Sequence, residues 1–136
     1  VEQGIAPDFK SVFDHYLAKG KPGYVAHEWA SVEEALGWIG DSGGVGVLAH
    51  PLRYRVSREA LRTFLGEFKE RGGRGIEVAC GGHSAEEVSE CARLARHFGL
   101  KASVASDFHA PGESYADLGM APAMPDDLVP IWHDLI

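Results

Sequence analysis

The sequence predicts an α/β domain in which parallel strands alternate with helices. Segments with apolar residues at helical spacing (31–40, 57–71 and 84–98) are each followed by a short apolar run (45–49, 75–79 and 101–106). Helix alternating with strand calls for crossover units and parallel pairing. Gly and Pro punctuate every joint, and each apolar run ends near residues that carry chemistry: His50-Pro51, then Glu77 ahead of Gly81-Gly82-His83, then Asp107-Phe108-His109.

With 136 residues, 45% hydrophobic and 10% aromatic, the chain is one domain by length and can bury a core, which excludes a disordered class. No run approaches the ~18 to 20 apolar residues of a membrane span, and Val1-Glu2-Gln3-Gly4 lacks the regions of a signal peptide. A cytoplasmic protein without a membrane partner is expected. Starting on Val-Glu-Gln without Met, it is expected to be a processed or truncated piece. Cys80 and Cys91 lack CxxC spacing and are expected to be free thiols. The net charge of −7 argues against a surface that grips duplex DNA. It does not forbid a nucleotide substrate, because bound divalent cations reverse the sign of a site, and seven His invite that chemistry.

In chain order, residues 8–19 place Phe9, Val12, Phe13, Tyr16 and Leu17 at helical spacing, with Gly20 as a stop. Lys21-Pro22-Gly23 is a turn, and 24–29 an extended connection in which His27 is a loop residue. Ser31 with Glu34 forms a capping-box pattern ahead of Val32, Ala35, Leu36 and Ile39. Residues 45–49, small and apolar throughout, fit a strand covered on both faces. The next helix buries Ala60, Leu61, Phe64, Leu65 and Phe68, and Gly72-Gly73 ends it. In the strand 75–79, Glu77 either faces solvent at an edge or turns into the site. Ser84 caps a helix with Val88, Cys91, Ala92, Leu94 and Ala95 inward, closed by Gly99. Residues 115–120 are expected to be irregular. The tail, 125–136, is expected to form a short helix that packs Leu128, Ile131, Trp132 and Leu135 on the body, leaving His133 structural or exposed.

Right-handed crossovers bring the three strand ends to one rim, where ligands gather in α/β folds. Asp107 and His109, two positions apart in extended chain, return to one face. His50 ends its strand at a proline, which cannot continue a central ladder. His, Asp and His on one rim are candidate metal ligands, since nitrogen and carboxylate donors suit Mn²⁺, Zn²⁺ or Fe²⁺.

Ala49-His50-Pro51-Leu52-Arg53-Tyr54, Gly75-Ile76-Glu77-Val78 and Ala105-Ser106-Asp107-Phe108-His109 resemble the later motifs of the PHP (polymerase and histidinol phosphatase) phosphoesterases. The resemblance extends to residues 4–29 and to the tail from Leu118, and it points to the bacterial branch of 5′-to-3′ exoribonucleases and 3′,5′-nucleoside bisphosphate phosphatases. It implies the second half of a distorted (β/α)7 barrel: residues 1–24 would be part of a small helical insertion, and 25–136 the C-terminal half-barrel. It also implies a metal-dependent phosphoesterase acting on nucleotides or RNA 5′ ends. His50, Asp107 and His109 would be metal ligands, with Mn as the first choice and Zn, Fe or Mg as alternatives. Arg53, Glu77 and His83 would face the substrate, Arg53 as a bidentate phosphate donor.

The family's first motif, H-x-H, occurs nowhere in this sequence, and the His and bridging Glu of its second are likewise missing. The chain alone is therefore expected to be inactive or weak unless a partner chain or swapped protomer completes the barrel. Two alternatives stay open: a non-catalytic fragment that binds a partner through an uncovered sheet edge, and an amidohydrolase-type metal hydrolase.

Overall fold

The computed structural model describes residues 1–112 and 116–134. The chain forms two compact units, Val1–Ala30 and Ser31–Ile136.

In the first unit Asp8 caps α1 (Phe9–Val12), its carboxylate accepting the Ser11 N–H at 2.7 Å. The helix expected over residues 8–19 is shorter than its apolar spacing suggests. After Val12 the backbone widens into a π turn, Phe13–Leu17, in which the Ala18 N–H donates to the Phe13 carbonyl at 2.8 Å. Phe9, Phe13, Tyr16 and Leu17 are all exposed, so no packed face holds the tighter helix in register. His27 is exposed and lies edge-on to Trp29, as a loop residue would.

The second unit carries the sheet. Ser31 and Glu34 satisfy one another in a capping box that opens α2 (Val32–Asp41). There follow β1 (Val47–Leu48), α3 (Arg58–Glu70), β2 (Gly75–Cys80), α4 (Ala85–Phe98) and β3 (Lys101–Ala105). The strands run parallel in the order β1-β2-β3, with Leu48 opposite Ile76 and Ile76 opposite Ala102. Between Glu77 and Ala79 the pairing of β2 with β3 is interrupted by a bulge.

The α4 face read from the sequence builds the core, and so does most of the α3 face, but Ala60 is exposed in the first turn of α3 and Phe64 is half-buried at the margin. Leu61, Leu65 and Phe68 from α3 pack with Val88, Cys91, Leu94 and Ala95 from α4 over Ile76 and Val78. Every residue of the central strand β2 is buried, which is why it reads as an unbroken apolar run apart from Glu77.

Two further expectations are corrected. The first strand has two residues in regular pairing instead of five, and both are half-buried. It lies at the end of the sheet with no strand on its outer side among the described residues, so it is not covered as a central strand is. The tail makes only a 3₁₀ turn, Ile131–Asp134. Residues just before it are extended along β3: the Ala102 N–H donates to the Val129 carbonyl at 2.9 Å, and Ala102 bridges Pro130. Leu128 and Ile131 are buried as expected, whereas Trp132 and His133 are exposed. Tyr115 and Leu135 lie outside the described residues. Arg96 on α4 holds Asp127 with two bonds of 2.7 and 2.8 Å, tying the tail to the sheet's helical cover. Among the described residues no helix is long and apolar enough to cross a membrane.

Candidate metal and phosphate site

The carboxyl ends of the parallel strands carry the predicted residues. His50 follows β1 in a left-handed conformation (φ 30°, ψ 57°), and Pro51 starts the 3₁₀ turn Pro51–Arg53 directly after it. This turn brings Arg53 back across the strand tips. Its Nη1 forms an ion pair with the Asp107 carboxylate, and its Nη2 donates to the Gly81 carbonyl at 2.8 Å. One guanidinium thus links the ends of all three strands.

Asp107 also has a left-handed backbone, with φ 56°. The hydrogen bond from Arg53 holds its carboxyl below the usual carboxylate range, against burial, with His109 and His50 adding to the effect. His109 is bent back on Asp107: its Nδ1–H donates to the Asp107 carbonyl at 2.9 Å, and the same nitrogen lies 3.9 Å from Oδ1. A carbonyl can only accept, so Nδ1 carries the proton and Nε2 is the nitrogen with a lone pair. This is the orientation in which metal-ligating imidazoles are commonly held.

Glu77 resolves its sequence ambiguity: it sits in the central strand, 5% exposed, and its Oε2 accepts the His50 N–H at 2.6 Å. His83 stands in the loop after β2, where its Nδ1 accepts the Cys80 N–H at 3.3 Å. That bond leaves Nε2 protonated, a buried donor without a partner. His50 Nδ1 is likewise buried and unpartnered.

Donor chemistry at this rim suits a divalent cation: imidazole nitrogens, one of them buried and unsatisfied, beside a carboxylate kept ionised. Closure is another matter. Among the described residues no three His, Cys, Asp or Glu side chains gather closely enough to hold a metal ion, and the Asp107 carboxylate is engaged by Arg53. The residues fit as part of a ligand set.

Both thiols are free and buried. Burial, with Glu77 adding, pushes Cys80 up to about 11, and burial pushes Cys91 up to about 12, so neither is a nucleophile at neutral pH.

Sequence reasoning missed the left-handed backbones and Gly81. A Cβ on Gly81 would lie 2.0 Å from the Ser106 carbonyl oxygen, so only glycine passes beneath the β3 tip. A Gly-Gly pair signals that closeness weakly. At His50 the signal runs the wrong way, because a residue before proline ordinarily stays extended.

Two proteins of known description and one solved structure are similar to this chain. A 3′,5′-nucleoside bisphosphate phosphatase of Chromobacterium violaceum is 47% identical over 135 residues, covering 99% of this chain and 47% of the relative. A 5′-3′ exoribonuclease of Escherichia coli is 41% identical over 133 residues, covering 98% and 45%. A solved structure from Chromobacterium violaceum, described as an amidohydrolase with bound sulfate and no metal, matches with a TM-score of 0.80. It is 47% identical, over 99% of this chain and 46% of that one. The chain spans about half the length of these relatives. The two named activities are both hydrolysis of phosphoric esters. No model of a known protein family matches the sequence.

Proposed function

We propose that the chain is the second half of a PHP-type metal-dependent phosphoesterase, its three strands forming part of a (β/α)7 barrel, with a nucleotide or an RNA 5′ end as substrate. The observation that carries this reading is the assembly of His50, Arg53, His83, Asp107 and His109 at the carboxyl ends of three parallel strands. The phosphatase and exoribonuclease names of its relatives supply the reaction class.

On this reading His50, Asp107 and His109 hold a divalent cation, Mn²⁺ first among the candidates. Such an ion, when bound, supplies Lewis-acid charge for the phosphoryl oxygens and a water of lowered pKa. The protein's own contributions can be stated separately. His109 keeps its proton on Nδ1 against the Asp107 carbonyl, presenting Nε2. The His83 Nε2–H, buried and unsatisfied, is a donor for a phosphate oxygen. Arg53 spans the strand tips with its fork held by Asp107 and the Gly81 carbonyl, placing a fixed positive charge at the rim for a phosphate.

The test is Mn²⁺-dependent phosphate release from 3′,5′-adenosine bisphosphate, run on this chain and on a version extended upstream to the relatives' length. The extended protein should turn over and lose at least about a hundredfold in rate with Asp107→Asn or His109→Ala, while the chain alone is inactive or weak. Unchanged turnover in either variant, or full activity after exhaustive chelation, would sink the assignment. The description of the solved neighbour as an amidohydrolase favours a second reading, amide hydrolysis at the same rim. Amide cleavage without phosphate release by the extended protein would select it.

A further inference from the structure

We infer that Glu77 is the positioning residue of His50: its buried carboxylate grips the backbone amide at the β1 tip and so sets the direction in which the imidazole leaves the sheet. What the imidazole does rests on the metal-site reading; how it is held rests on geometry alone.

An ionisable group in the middle of a core strand is costly unless it is well partnered. Among the described residues Glu77 is the buried charged residue of this unit, and its neighbours Ile76 and Val78 are fully covered. Backbone pairing between β1 and β2 ends at Leu48 opposite Ile76. One position further along β2, the Glu77 carboxylate takes the place of the next ladder acceptor, with Oε2 2.6 Å from the His50 nitrogen. Pro51 has no N–H to offer, so the grip falls on His50.

The bond acts where it is needed. His50 has φ 30°, a conformation that strains a non-glycine residue and persists only when its surroundings impose it. Ligating imidazoles are usually oriented through their second nitrogen by an outer acceptor, and His109 follows that pattern with the Asp107 carbonyl. His50 does not, because its Nδ1 is buried without a partner. The hold exerted on the other imidazole through its ring is exerted here through the main chain.

Amide hydrogen exchange on the ¹⁵N-labelled 136-residue chain tests the grip, and broadening of the His50 ring resonances by MnCl₂ tests its consequence. In the unaltered chain the His50 amide should be protected although it lies outside any strand ladder. Glu77→Leu should speed its exchange about tenfold relative to the Ile76 amide and raise the Mn²⁺ concentration for half-broadening about tenfold. Glu77→Gln, which keeps an acceptor at the same reach, should stay within about threefold on both readouts. An unprotected His50 amide in the unaltered chain overturns the inference even if Glu77→Leu fails to fold. So does exchange in Glu77→Leu that matches the unaltered chain. Equal loss of Mn²⁺ response in the Gln and Leu variants overturns it as well, since charge toward the ion would then be the role. Absence of broadening in the unaltered chain shows that these residues do not take Mn²⁺ without the rest of the ligand set, and the exchange data then decide whether Glu77 holds His50.

Discussion

Gly81 lies under the tip of β3, its N–H donating to the Ala105 carbonyl at 2.9 Å and its own carbonyl taking the Arg53 guanidinium. A methyl group there would press on the Ser106 carbonyl oxygen at 2.0 Å and the Ala116 Cβ at 2.8 Å, so backbone must shift to admit it. Gly81→Ala should therefore lower stability by about 1–3 kcal/mol, the range of an overpacked core, and shift the urea midpoint down. A midpoint equal to the unaltered chain would show that the β3 tip moves freely. At this scale the sequence names the chemistry but not the hold: Asp107 and His109 are conspicuous as a pair, yet nothing in their identity says that Arg53 takes the carboxylate.

At the scale of elements, α4 was legible because every local signal agrees. Ser84 caps it through the Glu87 N–H at 3.2 Å, Glu87 returns the bond to the Ser84 N–H at 2.8 Å, and Gly99 ends it in the left-handed region. Ser84→Ala should cost about 1 kcal/mol of stability at neutral pH. The cap also predicts a pH dependence. Hydrogen bonding to the Ser84 N–H holds the Glu87 carboxyl below its usual 4.5. A folded-state pKa lower than the unfolded one contributes stability above about pH 4.5, lost as pH falls through the lower, folded value. Thermal unfolding followed by circular dichroism should thus show the gap between the unaltered chain and Glu87→Gln closing in acid, whereas Ser84→Ala, which keeps the residue-84 N–H, should retain most of its cost. A gap that widens below pH 4 would contradict this role for the cap. The π turn and the tail were not legible for different reasons: Phe13–Leu17 has helical spacing without the packing that would select a helix, whereas the tail does pack Leu128 and Ile131 but pairs with β3 around Pro130 instead of coiling.

For the whole molecule, stability is concentrated where α3, α4 and β2 meet. Leu65 is fully buried at that junction, and Leu65→Ala should cost about 2–5 kcal/mol, read as a fall in the urea midpoint with an unchanged slope. A loss under about 1 kcal/mol would place the core elsewhere. The sequence by itself determined the α/β alternation, the three parallel strands, the face of α4 and most of that of α3, and the strand-end location of His50, Asp107 and His109. Each of these follows from periodicity, turn chemistry and the right-handed crossover, which act over a few residues or through a general rule of topology. Tertiary structure alone decided that β1 is a short edge strand, that Glu77 faces the His50 amide, and that Arg53 joins Asp107 to Gly81. The physical reason is range. Those bonds connect residues 27 to 54 positions apart, and their geometry depends on a register, a bulge and two left-handed backbones that exist only once the strands have paired.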